Sequence, residues 1–456
     1  MGKRVVVAGG GLTGLSAAYY LQKQDKTLNI TLVEANDTLG GKLQTVYQDG
    51  FVIERGPDSF LKRKKEALEL IKDLGLEDDV VSNHTGKSYI LKDGGLHPIP
   101  EGSVMGVPTS IRTLMETTLL SDDGKIRALN DLILPRMPAF DDISVGEFFK
   151  YRLGEEMVDH IISPLLSGIY AGDIYKLSLQ ATQPQFIKAE KELRSLIAGL
   201  KAPKKTNESK FATLKSGLSR LIDKLAASLT QTALITGVKV VGFDKQDQHY
   251  SLRLSNGQNL WADAVIFAIP HEITAELLKA PYLENDEADP NTSVATIAMA
   301  FDQKDVQMDK EGTGFVVSRR EPISITASTW THMKWPHTAP EGKALIRCYL
   351  GKAGDDKIIH LSDEEMVRTA LDNLKTVVNI KRQPHFSVVS RWEKAMPQYP
   401  VGHMRWLNDI RGRLQSDYPN VYLAGASYEG VGLPDCIKQG KEASTQVIHS
   451  LSKIKI

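Results

Sequence analysis

Residues 4–22, RVVVAGGGLTGLSAAYYLQ, decide the fold. The β-branched run Val5-Val6-Val7 suits a central parallel strand buried on both faces. Gly9-Gly10-Gly11-Leu12-Thr13-Gly14 follows in the G-x-G-x-x-G register. Gly9 permits the tight turn, Gly11 lets the backbone approach a pyrophosphate, and Gly14 lets helix and strand pack closely. The helix that follows offers free N–H groups and the positive end of its dipole. Basic residues before a small apolar run also imitate a secretory leader, but the glycine register favours strand, turn and helix. Position 6 is Val6, which excludes a myristoylation pattern.

A second strand, NITLVEA (29–35), carries Glu34, twenty residues beyond Gly14, and ends at Ala35. An acid at that spacing fits a hydrogen bond to an adenosine ribose. TLGGKLQT (38–45) then adds a second glycine turn, with Gly41 and Lys42, which a nicotinamide enzyme would not require. Near the other end VYLAGASYEGVGLPD (421–435) repeats the pattern of a buried strand, a glycine-rich turn and a helix start.

Composition sets bounds. The 456 residues supply two or three domains' worth of chain. Hydrophobic residues are 41%, charged residues 25%, and the net charge is zero, which argues against bulk binding to nucleic acid or acidic membranes. Two cysteines, Cys348 and Cys436, make neither a disulfide framework nor a zinc cluster. The eleven histidines form no HExxH, so no metal site is expected. No apolar run reaches the ~18 residues of a membrane span.

The two-turn arrangement resembles the amine-oxidase-like FAD proteins. That likeness implies a Rossmann-like α/β FAD domain (α+β overall) built from separated segments, a mixed-sheet substrate domain and a mainly helical insertion. The expected boundaries are 1–58, 212–285 and 395–456 for FAD; 59–90, 185–211 and 286–394 for substrate; and 91–184 for the insertion. Relatives usually carry Arg where this chain has Lys42, and Lys supplies the charge without the bidentate fork. FVIERGPDS (51–59) continues the likeness, placing Gly56, Pro57, Asp58 and Ser59 near the flavin ring. The class implies that the Val238 backbone amide lies near the adenine, and that Trp392 belongs to the flavin site. Gly425 and Ala426 would meet the pyrophosphate and ribityl chain, and Val431, Gly432 and Leu433 the isoalloxazine. Relatives with covalent flavin carry a Cys in the approach to the C-terminal turn; this chain has Trp392, Tyr399 and Gly402 there and no Cys, so the likeness implies non-covalent FAD.

SGIYAGDIYKLS (167–178) narrows the resemblance to the porphyrinogen oxidases of Gram-positive bacterial type. GPDSFLKRKKEALELIKDLGL, SYILKDGGLHPIP, RWEKAMPQYPVGH and EGVGLPDC extend it along the whole chain. It implies oxygen-dependent oxidation of coproporphyrinogen III to coproporphyrin III in haem biosynthesis, by hydride transfer to flavin N5, with three hydrogen peroxide released. Alternatives are a protoporphyrinogen IX oxidase, an FAD amine oxidase, a carotenoid desaturase-like enzyme and a scaffold with structural flavin. Substrate propionates call for cations. Lys62, Arg63, Lys64 and Lys65 are the first candidates, read as the start of one helix capped by Gly75. Lys87 stands where some relatives using the proto form have Arg, and Ile169 and Tyr170 would pack on the macrocycle. His332, Lys334 and His337 fit surface and site equally. No general base is named. Residues 200–212 read as a linker, and the Ser-Asn-Gly turn at 255–257 as a hairpin. Charges at Asp122, Asp123, Lys125, Arg127 and Asp131 suit a solvated helical surface. The expectation is a cytoplasmic enzyme with weak peripheral membrane contact at most.

Overall fold

The computed structural model describes residues 2–200, 209–247, 249–285, 291–355 and 357–453. Five parallel strands form the first sheet, in the order Thr232–Ile235, Asn29–Val33, Arg4–Ala8, Ala264–Phe267 and Val421–Leu423. Alternation along Arg4–Ala8 explains its two-sided burial. Val5 and Val7 enter the core beneath helices Leu12–Gln24, Ser219–Ser228 and Leu433–Lys453. Val6 and Ala8 enter the opposite core, shared with helix His403–Asp417 and a three-stranded antiparallel sheet. The predicted hairpin is part of that small sheet, joining His249–Leu254 to Asn259–Ala262.

The second large sheet has seven strands, in the order Phe386–Met396, Thr292–Asp302, Lys343–Leu350, Ile325–Trp330, Gly314–Val317, Tyr89–Lys92 and Gly95–Pro98. All neighbours are antiparallel except Gly314–Val317 with Tyr89–Lys92. Helix Asp363–Lys375 covers one face and starts with a capping box between Ser362 and Glu365. Ala298, Ala300 and Leu345 turn the other face toward Phe51 and Ile53. The fold is therefore mixed α/β, as the sequence implies.

The helical region is cut into short pieces, five of them capped by a serine. Ser110, Ser121, Ser144, Ser178 and Ser195 accept hydrogen bonds from Thr113, Gly124, Glu147, Ala181 and Ala198 backbone N–H groups. Phe149 stands edge-on to Phe148 and Phe186 at 5.4 and 4.9 Å in its core. Arg152 and Asp131 lie beneath, with side chains 0% exposed and joined at 2.6 Å. Arg152 also donates to the carbonyls of Asp131, Pro135 and Arg194, and Asp131 accepts from Ser195 Oγ and Ile197 N.

Three expectations need correction. The basic run does not begin a helix: Phe60–Leu61 is a strand paired with Phe211–Leu214, and the helix spans Lys65–Asp73. Residues 201–208 of the expected linker lie outside the described residues, and Phe211–Leu214 is sheet rather than linker. The insertion boundaries at 91 and 184 both shift: the hairpin runs to Pro98, and helices Pro184–Leu193 and Leu196–Gly199 pack in the helical core. Among the described residues no helix is long and apolar enough to cross a membrane, and no metal-binding cluster of three or more His, Cys, Asp or Glu occurs.

Removing one partner of a buried, fully bonded pair leaves a naked charge. Asp131→Ala is expected to lower stability by about 3–5 kcal/mol in urea unfolding, the range for such a loss.

Candidate active site

Three turns meet at the C-terminal ends of the parallel strands. Gly9 adopts φ 108° and donates to Val33 O at 2.8 Å. A Cβ on Gly14 would stand 1.9 Å from Gly9 O, so helix Leu12–Gln24 reaches the turn only without a side chain there. Gly11 differs, because nothing lies within 4 Å of the position its Cβ would take. No side chain caps the helix start, so the first-turn N–H groups, including those of Leu12 and Thr13, face that same space. Gly40 N donates to Gly10 O at 2.8 Å, laying the second glycine turn beside the first. Glu34 is buried; its carboxylate accepts from Gly10 N at 2.6 Å, Asn36 N at 2.9 Å and Asn36 Nδ2 at 2.6 Å. Ala35 beside it is exposed. Val238 N donates to Glu34 O at 3.1 Å, which ties this segment to the end of the acidic strand. The cradle beside Gly11, the uncapped helix and the acidic strand end together fit a dinucleotide.

The C-terminal turn closes on this cradle. Gly425, at φ 126°, donates its N–H to Gln439 Oε1 at 2.9 Å, and a Cβ on it would stand 3.9 Å from Thr13 Oγ1. Ala426 O accepts from Tyr399 OH at 2.5 Å. Val431 packs against the helical core, and helix Leu433–Lys453 starts at Leu433. Gly430 and Gly432 leave room for the Asp435 carboxyl, which would lie 2.8 Å or a little more from a Cβ on either.

Residues 55–59 face the same turns from the side of the seven-stranded sheet. A Cβ on Gly56 would be 2.1 Å from Lys42 O and 3.5 Å from the Trp392 ring. Trp392 Nε1 donates to Arg55 O at 3.1 Å. Lys42 Nζ reaches Ala395 O. Its side chain is open to solvent yet stands in a cleft, and desolvation lowers its pKa against the opposing influence of Cys436. Pro57 and Ser59 are half-buried, and Ser59 Oγ donates to Asp58 at 2.6 Å. Asp58 is taken by Lys334, whose Nζ lies 3.0 Å from both carboxylate oxygens. Burial alone would raise the Asp58 pKa, but Lys334 and Arg347 outweigh it and hold the group well below the usual carboxylate range.

The proposed substrate cations are not equivalent. Lys64 Nζ sits 2.6 Å from both oxygens of Asp435. Lys65 is exposed and pairs with Glu69 at 3.3 Å. Arg63 and Lys87 are exposed and form no ion pair with the described residues. Ile169 is 39% exposed, whereas Tyr170 is buried, its ring 6.2 Å from that of Tyr399. Desolvation, with a smaller push from Asp435, raises Tyr170 to about 12, so it stays a neutral phenol. His332 is tied to Leu345 O at 3.0 Å, and His337 lines an internal cavity with Glu54, Asp58 and Arg347.

Sequence reading missed Arg347, Glu54 and Asp435. Arg347 alone carried a signal, a charge inside the apolar run ALIRCYL. Glu54 is pushed up to about 7 by burial, against bonds from Leu218 N and Thr45 and the charge of Arg347.

Residues 12–448 match the flavin containing amine oxidoreductase family. The chain is similar to coproporphyrinogen III oxidase of Bacillus subtilis, 49% identical over 460 residues and 98% of both chains. Its identity to coproporphyrinogen III oxidase of Staphylococcus aureus is 41%, over 99% of this chain and 100% of that one. A crystal structure from Exiguobacterium sp. 255-15, provisionally named protoporphyrinogen oxidase, superposes with a TM-score of 0.90 at 40% identity, covering 98% and 99% of the chains.

Gly11→Val and Gly14→Val are expected to part company. The Cβ of Gly11→Val meets no protein atom within 4 Å, so the variant is expected to keep the thermal stability of cofactor-free wild type and to purify without flavin. Gly14→Val collides with Gly9 O and loses the fold as well. A yellow Gly11→Val protein would contradict the assigned turn. Glu54 supplies a pH test. Its folded pKa of about 7 exceeds the ordinary 4.5, so its contribution to stability is full below pH 4.5 and lost as pH rises through 7. Glu54→Gln stays neutral throughout. Urea unfolding at pH 5 and pH 8 is expected to show the variant gaining about 2–2.5 kcal/mol on wild type at the higher pH.

Proposed function

Because this chain belongs to the flavin containing amine oxidoreductase family, we propose that it oxidises coproporphyrinogen III to coproporphyrin III in haem biosynthesis, with non-covalent FAD and O2. The observation that carries this reading is the 49% identity to a coproporphyrinogen III oxidase along 98% of both chains. Six hydrogens leave the macrocycle and three O2 become three hydrogen peroxide, which balances atoms and electrons. When bound, FAD supplies the hydride acceptor at N5 and the route for each electron pair to O2.

The chain's own groups bind, orient and exclude. The Gly11 cradle and the uncapped start of helix Leu12–Gln24 hold the pyrophosphate, and Glu34 holds the ribose. The turns at Gly41–Lys42, Gly56–Ser59 and Gly425–Leu433, with Trp392, enclose the ring. Segments 1–58, 212–285 and 395–456 make up the FAD domain. Arg63 and Lys87 are the free cations for the propionates, with Lys64 and Lys65 released from their acids on binding. Ile169 and Tyr170 pack on the macrocycle. Each bridge oxidation also frees a proton from a pyrrole nitrogen, so no strong base is required of the protein. The enzyme is placed in the cytoplasm with weak peripheral membrane contact at most. The provisional name of the Exiguobacterium structure favours protoporphyrinogen IX as a second reading.

Anaerobic mixing separates the two. Coproporphyrinogen III is expected to bleach the bound flavin fast, and protoporphyrinogen IX slowly or not at all. The reverse order would exchange the substrates, and bleaching by neither would end the porphyrinogen reading.

A further inference from the structure

Residues 55–58 form a turn with little secondary structure of its own, between strands Phe51–Glu54 and Phe60–Leu61. Three neighbouring strands of the seven-stranded sheet hold its carbonyls. Thr296 Oγ1 donates to Arg55 O at 2.7 Å, Trp392 Nε1 to the same oxygen at 3.1 Å, and Arg347 Nη2 to Gly56 O at 2.7 Å.

Arg347 is the costly member of the three. Its side chain is 1% exposed in the middle of an apolar strand. Taking a charge out of water costs several kcal/mol unless it is fully bonded. Here the bonding is incomplete. Asp58 lies 3.8 Å from Nη1 and is itself shared with Lys334, and Nε and Nη1 donate to none of the described residues. A cavity of about 10 Å³ beside them, also lined by Glu54 and Trp335, has room for one water. An apolar side chain of the same length would satisfy the sheet at lower cost. What it would not supply is the directed bond to Gly56 O. Gly56 in turn packs on Lys42 O with no space for a Cβ, so fixing the first turn fixes the second.

We propose that Arg347 is a positioning residue: it fixes the Gly56–Pro57 turn, and through it Gly41–Lys42, against the flavin ring, so that the mixed sheet sets the geometry of the redox site. This rests on the reading that residues 56–57 lie at that ring.

Arg347→Met, Arg347→Lys, Thr296→Val and Pro57→Ala holoproteins test it by amide hydrogen exchange, visible circular dichroism of the flavin, and steady-state kinetics. Arg347→Met is expected to speed exchange at 55–59 by about tenfold while leaving 9–14 unchanged. It should also alter the flavin dichroism, and lower kcat by about tenfold or more with KM little changed. Arg347→Lys, keeping the charge and one donor, should recover part of each. Unchanged dichroism and unchanged local exchange in Arg347→Met, with only a lower unfolding temperature, overturn the proposal. If Arg347→Met does not fold, Thr296→Val decides by the same two readouts at the neighbouring carbonyl. Pro57→Ala separates the premises. If it leaves the dichroism untouched, the turn is not at the flavin and the reading beneath the proposal fails. If it alters the dichroism while Arg347→Met does not, only the role of Arg347 fails.

Discussion

The structure depends on backbone meeting backbone without side chains between. A Cβ on Gly14 would lie 1.9 Å from Gly9 O, and one on Gly56 would lie 2.1 Å from Lys42 O. The first contact lets a helix start directly over the end of a parallel strand, where uncapped N–H groups and the helix dipole converge. The second closes the other end of the cleft, joining the parallel-sheet domain to the mixed sheet. Three further contacts of the cleft are made close to these two. Gly40 bonds to Gly10, Gly425 stands over Thr13, and Lys42 reaches the end of strand Phe386–Met396.

Burial of charge marks where segments distant in sequence are tied together. Arg152 with Asp131 ties the pieces of the helical region, and every polar atom of that pair has a partner. Lys334, Asp58 and Arg347 tie the mixed sheet to the turn at 55–58, and there the bonding is left incomplete. A fully satisfied network offsets its own desolvation and serves the fold. An incompletely satisfied one costs stability, and such a cost fits a site where position matters more than stability.

The glycine turns were legible because their logic is local: each needs a positive φ or a close approach within a few residues of its strand. The parallel strands around Val6 and Thr31 and the hairpin at 255–257 were legible for the same reason, as short β-branched runs bounded by turn residues. The start of the helix after the basic run was not. Phe60 and Leu61 are claimed by a strand some 150 residues away, and Lys62 N bonds to Lys210 O. Periodicity reports a helix that local physics allows, and tertiary pairing then shortens it. The partners of Arg347 and Lys64 were illegible for a stronger reason. Gly56 is 291 residues from Arg347 and Asp435 is 371 from Lys64, so no local pattern relates them. A charge inside ALIRCYL marks Arg347 as unusual, but nothing local says what it holds.

The Lys64–Asp435 pair changes what a basic run means. Four cations in a row suggest a surface ready for carboxylates, yet the lysine nearest the C-terminal turn is already bound to one. Its side chain is 37% exposed and that of Asp435 is 23%, so solvent screens the pair and its net worth is about 1 kcal/mol or less. A bond that weak locates Lys64 without committing it. A ligand carboxylate arriving there exchanges one acid for another, and the gain is the difference between two similar contacts. Arg63 and Lys87, with no acid among the described residues to give up, would deliver the whole of theirs. On the proposed porphyrinogen reading, discrimination by number of carboxylates would therefore rest more on these exposed cations than on the paired Lys64. Asp435, once released, is left at the first turn of helix Leu433–Lys453, where the helix dipole stabilises its charge.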